Sequence, residues 1–332
     1  MSVAAFRMCV THRRLPIIVF CGRRWVVQRA AMPCSAQRTQ NTTARATRHK
    51  SGDNWPPEAD TDAMTQVRPE VLAYYERGAE RTRLADHGGA GPLEFVRSAE
   101  LLERFLPAAP CSVLDVGGGP GAYSMWLRDR GYSVHLIDPV PLHVEQAQAV
   151  GASAAVGDAR ALAHPDESQD AVLLMGPLYH LEDPSERAQA LAEARRVLRP
   201  GGVLIATAIS RFAALLDLLV RLDRLHLPDV ASVVERVVAT GTFHGTEAGI
   251  FTTAFFHLPS QLRAEVSEAG FDDVTVLNVE GPGFLIGNFD ERWQDPDRRE
   301  AILLAARLVE TEAEMLGASS HLMAVATVGS TR

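Results

Sequence analysis

The chain has 332 residues, of which 46% are hydrophobic and 22% charged, so it can bury a large core and is not an intrinsically disordered polymer. No run approaches the roughly 18 apolar residues of a membrane-spanning helix, the longest candidate being Leu15 to Cys21, and a cytoplasmic protein without a membrane partner is expected. The net charge of -8 is uneven: the first 50 residues hold ten basic and no acidic residues, whereas the chain after Ala63 holds 23 basic and 37 acidic ones, a net of -14 that would repel a nucleic-acid backbone.

Residues 1–63 are rich in Arg, Thr and Gln, show no steady period, and close on Gly52, Pro56 and Pro57. They read as a disordered extension or a mis-assigned start with Met64 as the true one; an Arg-rich targeting peptide is the third reading. Three of the four cysteines (Cys9, Cys21, Cys34) fall here and only Cys111 lies beyond. Counting therefore excludes a disulfide framework or a cysteine zinc site in the body, and no His and carboxylate pair has ligand spacing, so no metal is expected.

Helical spacing begins at 68–85, with Val71, Leu72, Tyr75, Ala79 and Leu84, and Pro92 opens a second helix through Phe105. From Ser112 short apolar runs alternate with amphipathic stretches, the signature of a parallel sheet wrapped by helices. Strands are expected at 112–116, 133–137, 153–156, 170–175 and 202–208, with helices near 120–130, 140–150 and 184–198. The alternation breaks at 211–253, which reads as two helices and a Gly- and Thr-rich stretch, either surplus packing or, as favoured here, a lid over the strand ends. A helix at 259–269, a strand at 273–279, a helix at 296–316 and a strand at 321–328 complete a doubly wound α/β body.

Chemistry concentrates after the first of these strands, in Asp115-Val116-Gly117-Gly118-Gly119-Pro120-Gly121. Glycines let backbone approach a ligand closely, and the next helix offers free N–H groups. Gly117, Gly119 and Ala122 fit a dinucleotide fingerprint, while Gly117, Gly119 and Gly121 fit a nucleoside-binding turn. Asp138 ends the second strand, where a carboxylate can accept from both ribose hydroxyls in either cofactor class. Gly157-Asp158-Ala159-Arg160 follows the third strand, where Asp158 can accept from an adenine amino group and the Ala159 N–H can donate to the ring.

Together with the turn Arg196-Val197-Leu198-Arg199-Pro200-Gly201-Gly202, these residues resemble the class I S-adenosylmethionine-dependent methyltransferases of the small-molecule, ubiquinone/menaquinone-biosynthesis-like kind, over about residues 70–328. The resemblance implies a Rossmann-like, mostly parallel seven-stranded sheet with an antiparallel last strand, S-adenosylmethionine as cofactor, and a small-molecule methyl acceptor. It implies that Asp115 with Gly117, Gly119 and Gly121 holds the methionine part, Asp138 the ribose, and Asp158 with Ala159 the adenine. The segment MGPLYHL at 175–181, led by Met175, would face the sulfonium, and Tyr74, Tyr75 and Arg97 would close over the cofactor. The helix at 296–316 departs from minimal members and either packs outside the sheet or walls the pocket.

His180 and His257 are the candidate general bases, because imidazole titrates near working pH; His244 and His143 rank below them. Phe243, Phe251, Phe255, Phe256 and Phe284 line an apolar pocket or pack in the core. The alternatives to a methyltransferase are an NAD(P)-dependent oxidoreductase, disfavoured because no lysine follows Lys50 to supply a Tyr-x-x-x-Lys pair, and a non-catalytic S-adenosylmethionine-binding protein. A monomer or homodimer is expected.

Overall fold

A computed structural model of the chain describes residues 17–21, 24–28, 67–85, 89–244 and 251–329. The boundary expected at Met64 lies outside the described residues. Within the unit Met1–Asp53, two runs rich in β-branched residues, Ile17–Cys21 (β1) and Arg24–Gln28 (β2), pair antiparallel with Ile17 opposite Gln28. This hairpin was not expected from the aperiodic first sixty residues.

The unit Asn54–Arg332 opens with helices α1 (Pro69–Tyr75), α2 (Glu80–Arg83) and α3 (Gly91–Phe105). Proline in the first turn of α1 and of α3 sets the helical φ where an N–H would lack a partner anyway. Then come β3 (Ser112–Val116), α4 (Ala122–Arg128), β4 (Ser133–Asp138), α5 (Pro141–Ala149), β5 (Ser153–Val156), β6 (Gln169–Leu174), α6 (Pro177–His180), α7 (Pro184–Val197) and β7 (Leu198–Ser210). After an insertion, α10 (Pro259–Glu268), β10 (Asp272–Asn278), α11 (Phe289–Gln294), α12 (Pro296–Val309) and β11 (His321–Thr327) follow; the insertion holds α8 (Ala213–Leu216), α9 (Pro228–Thr240), β8 (Thr242–His244) and β9 (Thr253–His257).

Seven strands lie in the order β10-β11-β7-β6-β3-β4-β5, and β11 runs antiparallel to both neighbours while β3 to β7 are parallel. This is the doubly wound, mostly parallel sheet expected. Its central strands are apolar on both faces because helices cover both. Alternate residues point to opposite sides: Leu114, Val172, Leu174, Leu204 and Ala206 meet Leu191 and Val197 of α7, while Val113, Leu173 and Ile205 meet Leu101 and Leu102 of α3. Each fully buried Leu contributes about 1.5–3 kcal/mol, so Leu173→Ala at the centre would cost about 2–5 kcal/mol.

The insertion adds two strands that were not expected. β9 runs parallel beside the end of β7, pairing Ile209 with Phe256 and Ser210 with His257, and β8 pairs antiparallel with β9. Val233 and Val237 of α9 pack with Phe243, Ala254 and Phe256 to give this part its own small core. The helix expected at 296–316 ends at Val309 and packs outside the sheet, where Ile302 and Leu303 meet Leu93, Phe289 and Trp293.

Candidate active site

The parallel strands end at one edge, and loops there are free to carry ligand-binding groups. β3 leads into the turn at 117–121, in which Gly117, Gly119 and Gly121 have φ of 74°, 56° and 89°. A Cβ on Gly117 would meet Pro177 Cδ at 2.6 Å, so the backbone here is bare by necessity. The Gly119 N–H donates to Asp138 Oδ2 at 2.9 Å, which ties the turn to the end of β4.

Asp115 is fully buried beneath the turn. The Ser124 hydroxyl donates to its Oδ2 at 2.6 Å, and its Oδ1 has no hydrogen-bond partner among the described residues. Burial, with the nearby Asp138 charge, pushes its carboxyl up to about 6 despite the Ser124 bond. Asp138 Oδ1 accepts from the Val140 N–H at 2.9 Å and lies 3.1 Å from His143 Nδ1. Asp158 accepts from Arg160 N and Nε through Oδ1 and from Nη2 through Oδ2, and Arg160 in turn meets Glu186.

One cavity of about 470 Å³ joins these groups, lined by Asp115, Gly117, Gly119, Gly121, Asp138, Asp158 and Ala159, and further by Met175, Tyr75 and His180. Of the residues expected at the cofactor, these share one cavity, whereas Tyr74 and Arg97 do not line it. Tyr75 comes from α1, so the N-terminal helices roof it. The roof is fastened from behind: the Thr252 hydroxyl donates to Glu70 O at 3.2 Å, the Thr253 hydroxyl to Glu70 Oε1 at 3.4 Å, and Phe251 meets Tyr74 and His180 edge-on or tilted. No described residue of 211–253 lines the cavity; those of its described residues that reach the roof brace α1.

The two histidines expected as bases part company here. His180 is in the cavity wall with Nε2 2.8 Å from the Tyr75 hydroxyl; burial lowers it to about 4 and keeps it neutral. His257 does not reach the cavity, because it is enclosed beside Glu265, with Nε2 to Oε2 at 3.2 Å, and its ring meets Phe255. Arg97 is also displaced from its expected role: it is fully buried and bonds to Val279 O, Glu100 and Glu310. Phe243 and Phe256 are stacked in the insertion's core, and none of the five phenylalanines lines the cavity.

Sequence reasoning missed a charged group in the same cavity. His321, the first residue of β11, has Nδ1 2.6 Å from Glu280 Oε1 and 3.9 Å from Glu94 Oε2, and Glu94 is gripped by Arg83 at 2.5 and 3.0 Å. Although burial opposes it, the Glu94 and Glu280 charges raise His321 to about 9, with Arg83 pulling back. An antiparallel strand starts where parallel strands end, so the first residue of β11 necessarily arrives at the ligand edge. That topological signal was the one available.

A family model described as a methyltransferase domain matches residues 114–206. An uncharacterized methyltransferase of Mycobacterium tuberculosis is 41% identical over 107 residues, 32% of this chain and 42% of that protein, so the chain matches less than half the length of this relative. The ubiquinone/menaquinone biosynthesis C-methyltransferase of Acidiphilium cryptum is 31% identical over 183 residues, 51% of this chain and 70% of that protein. Among solved structures, a chain of the Haloferax volcanii complex that contains the methyltransferase activator Trm112 superposes with a TM-score of 0.52 at 19% identity, covering 79% of this chain and 99% of that one; this likeness shows the fold.

Proposed function

Because this chain belongs to the S-adenosylmethionine-dependent methyltransferases, we propose that it transfers a methyl group to a small-molecule acceptor by in-line displacement. The observation that carries this reading is the placing of three carboxylates, Asp115, Asp138 and Asp158, at the ends of consecutive parallel strands around one cavity.

The residues fit the cofactor. Asp115 Oδ1, buried without a partner beside the bare glycine turn, suits an ammonium group. Asp138 keeps acceptor capacity on Oδ2 for ribose hydroxyls, since a carboxylate oxygen has about two lone pairs and one is taken by Gly119. Asp158 accepts three bonds from Arg160, which leaves about one of four acceptor positions for an adenine amine next to the Ala159 N–H. When bound, the cofactor supplies a methyl group already activated on a sulfonium.

The work left to the chain is alignment and exclusion of water. Met175 and Gly176, at the end of β6, border the space between donor and acceptor; Tyr75 and α1 cover it. A volume of about 470 Å³ suits a cofactor with a compact acceptor, and the acidic body supports a small molecule over nucleic acid. The Acidiphilium relative, named for quinone biosynthesis, supports the same class.

Calorimetric titration of the full chain with S-adenosylmethionine, S-adenosylhomocysteine and NADH tests the reading. Micromolar binding of the two adenosyl compounds with silence from NADH is expected. Binding of NADH alone would return the chain to the oxidoreductase reading.

A further inference from the structure

The three carboxylates lie at the ends of β3 and β4 and just after β5, so they would hold a nucleoside and its methionine arm along that half of the strand edge. His321 starts β11, two strands beyond β6, and Asp158 and His321 are separated by five strand spacings, about 24 Å at 4.8 Å each. The far end of the cavity is therefore acceptor space. His321 of β11 and Thr207 of β7 line the cavity on that side, and Glu94 and Arg83 stand beside His321.

The carboxylate of Glu280 is committed to His321. It is 1% exposed; Oε2 accepts from the Ser319 hydroxyl at 2.8 Å and the His321 N–H at 2.9 Å, and Oε1 faces His321 Nδ1. A carboxylate held in this way fixes ring orientation and keeps a proton on Nδ1. The nitrogen left over is Nε2, which has no hydrogen-bond partner among the described residues, on a ring that lines the cavity and whose side chain is 18% exposed. Buried carboxylate, imidazole and open ligand space in that order are the arrangement of a general base and its orienting group.

The geometry points to His321, oriented by Glu280, as the residue that takes the acceptor's proton, and hence to an acceptor that carries a removable proton on oxygen or nitrogen. This rests on the methyltransferase reading. In the step, the acceptor's O–H or N–H bond breaks and its electron pair forms the bond to the methyl carbon. The carbon–sulfur bond breaks to leave a neutral thioether, and the proton passes to His321 Nε2.

The groups facing His321 are Glu94 from α3, Glu280 after β10 and Arg83 from α2. With His321 protonated, the two carboxylates balance the arginine and the imidazolium, so the cluster carries no net charge at rest. The carboxylates also make His321 a strong base that is protonated at rest near neutrality, so turnover should climb about tenfold per pH unit toward about 9. His180 cannot substitute while its Nε2 is engaged by Tyr75.

The test is nitrogen-15 NMR of the histidine-labelled full chain with S-adenosylhomocysteine, comparing wild type, His321→Gln and Glu280→Gln. One imidazole should titrate near 9, vanish in His321→Gln, show the Nδ1–H tautomer when neutral, and move toward 6.5 in Glu280→Gln. Titration of His321 near 6.5 in the wild type, or an Nε2–H tautomer, would overturn the proposal without an acceptor in hand. S-adenosylhomocysteine affinity should stay within about twofold in both variants, since neither residue touches the cofactor carboxylates; failure of the wild type to bind it would instead strike the methyltransferase reading. With a panel of phenols, alcohols and amines, His321→Gln should lower kcat about 100-fold at unchanged cofactor KM. Equal turnover by the variant, or methylation only at carbon, would overturn the proposal.

Discussion

Tyr75 and His180, 105 residues apart, are joined by a 2.8 Å hydrogen bond that fastens the roof helix α1 to the segment following β6. Tyr75→Phe removes one partner of the half-buried His180 Nε2, a loss of about 0.5–1.5 kcal/mol. The expected result is a Tm lower by a few degrees with a weaker S-adenosylhomocysteine Kd, read by calorimetry. An unchanged Kd with a lowered Tm would confine the bond to stability.

Asp138→Ala should weaken S-adenosylmethionine binding by about 1–3 kcal/mol through lost charged hydrogen bonds. The same change frees the N–H groups of Gly119 and Val140, so the turn should loosen too. Titration alongside a thermal melt separates the two effects; full affinity in a folded variant would remove Asp138 from the ribose site.

Two glycines of the turn should respond differently to alanine. At Gly117 the new Cβ would meet Pro177 Cδ at 2.6 Å as well as a φ of 74°, whereas at Gly119 the nearest atom is Glu80 Cγ at 3.9 Å and the strain is mainly that of φ 56°. Gly117→Ala is expected to lower Tm and abolish cofactor binding. Gly119→Ala should cost about 1–2 kcal/mol in stability. Comparable melts for the two variants would contradict the geometry.

Affinity for the cofactor should fall on acidification. Asp115 has its carboxyl raised to about 6, and only the charged form attracts an ammonium, so Kd should rise below about pH 6 in the wild type and stay flat in Asp115→Asn. For the fold the sign is opposite: with a folded value above 3.8, the empty protein is relieved of a buried charge as pH falls from about 6 toward 3.8.

His321 gives a second pH signature. Its folded value is raised, so its contribution to stability is full below 6.5 and is lost as pH rises through about 9. Tm should therefore decline across that window in the wild type, and the decline should flatten in His321→Gln. A slope that survives the substitution would assign it to another group.

The central sheet was legible because its strands are buried on both faces and read as short apolar runs, and Asp115, Asp138 and Asp158 were legible because each ends such a run. β8 and β9 were not: Thr242–His244 is three residues long, and Thr253–His257 becomes a strand by pairing with the end of β7, a contact no local pattern encodes. His257 looked like a pocket residue because it adjoins two phenylalanines, yet Glu265, two turns along α10, encloses it. His321 drew no notice because its partners Glu94 and Glu280 come from distant parts of the chain and meet only through the antiparallel placing of β11.

The two threonine bonds to Glu70 couple the roof of the cavity to the start of β9, no described residue of which lines the cavity. Opening of α1 must break those bonds or carry β9 along with it, so occupancy of the cavity is transmitted to the outer edge of the sheet. Backbone amides of β8 and β9 would then exchange with heavy water more slowly when the cavity is filled, and the insertion would report on a binding event that takes place behind it.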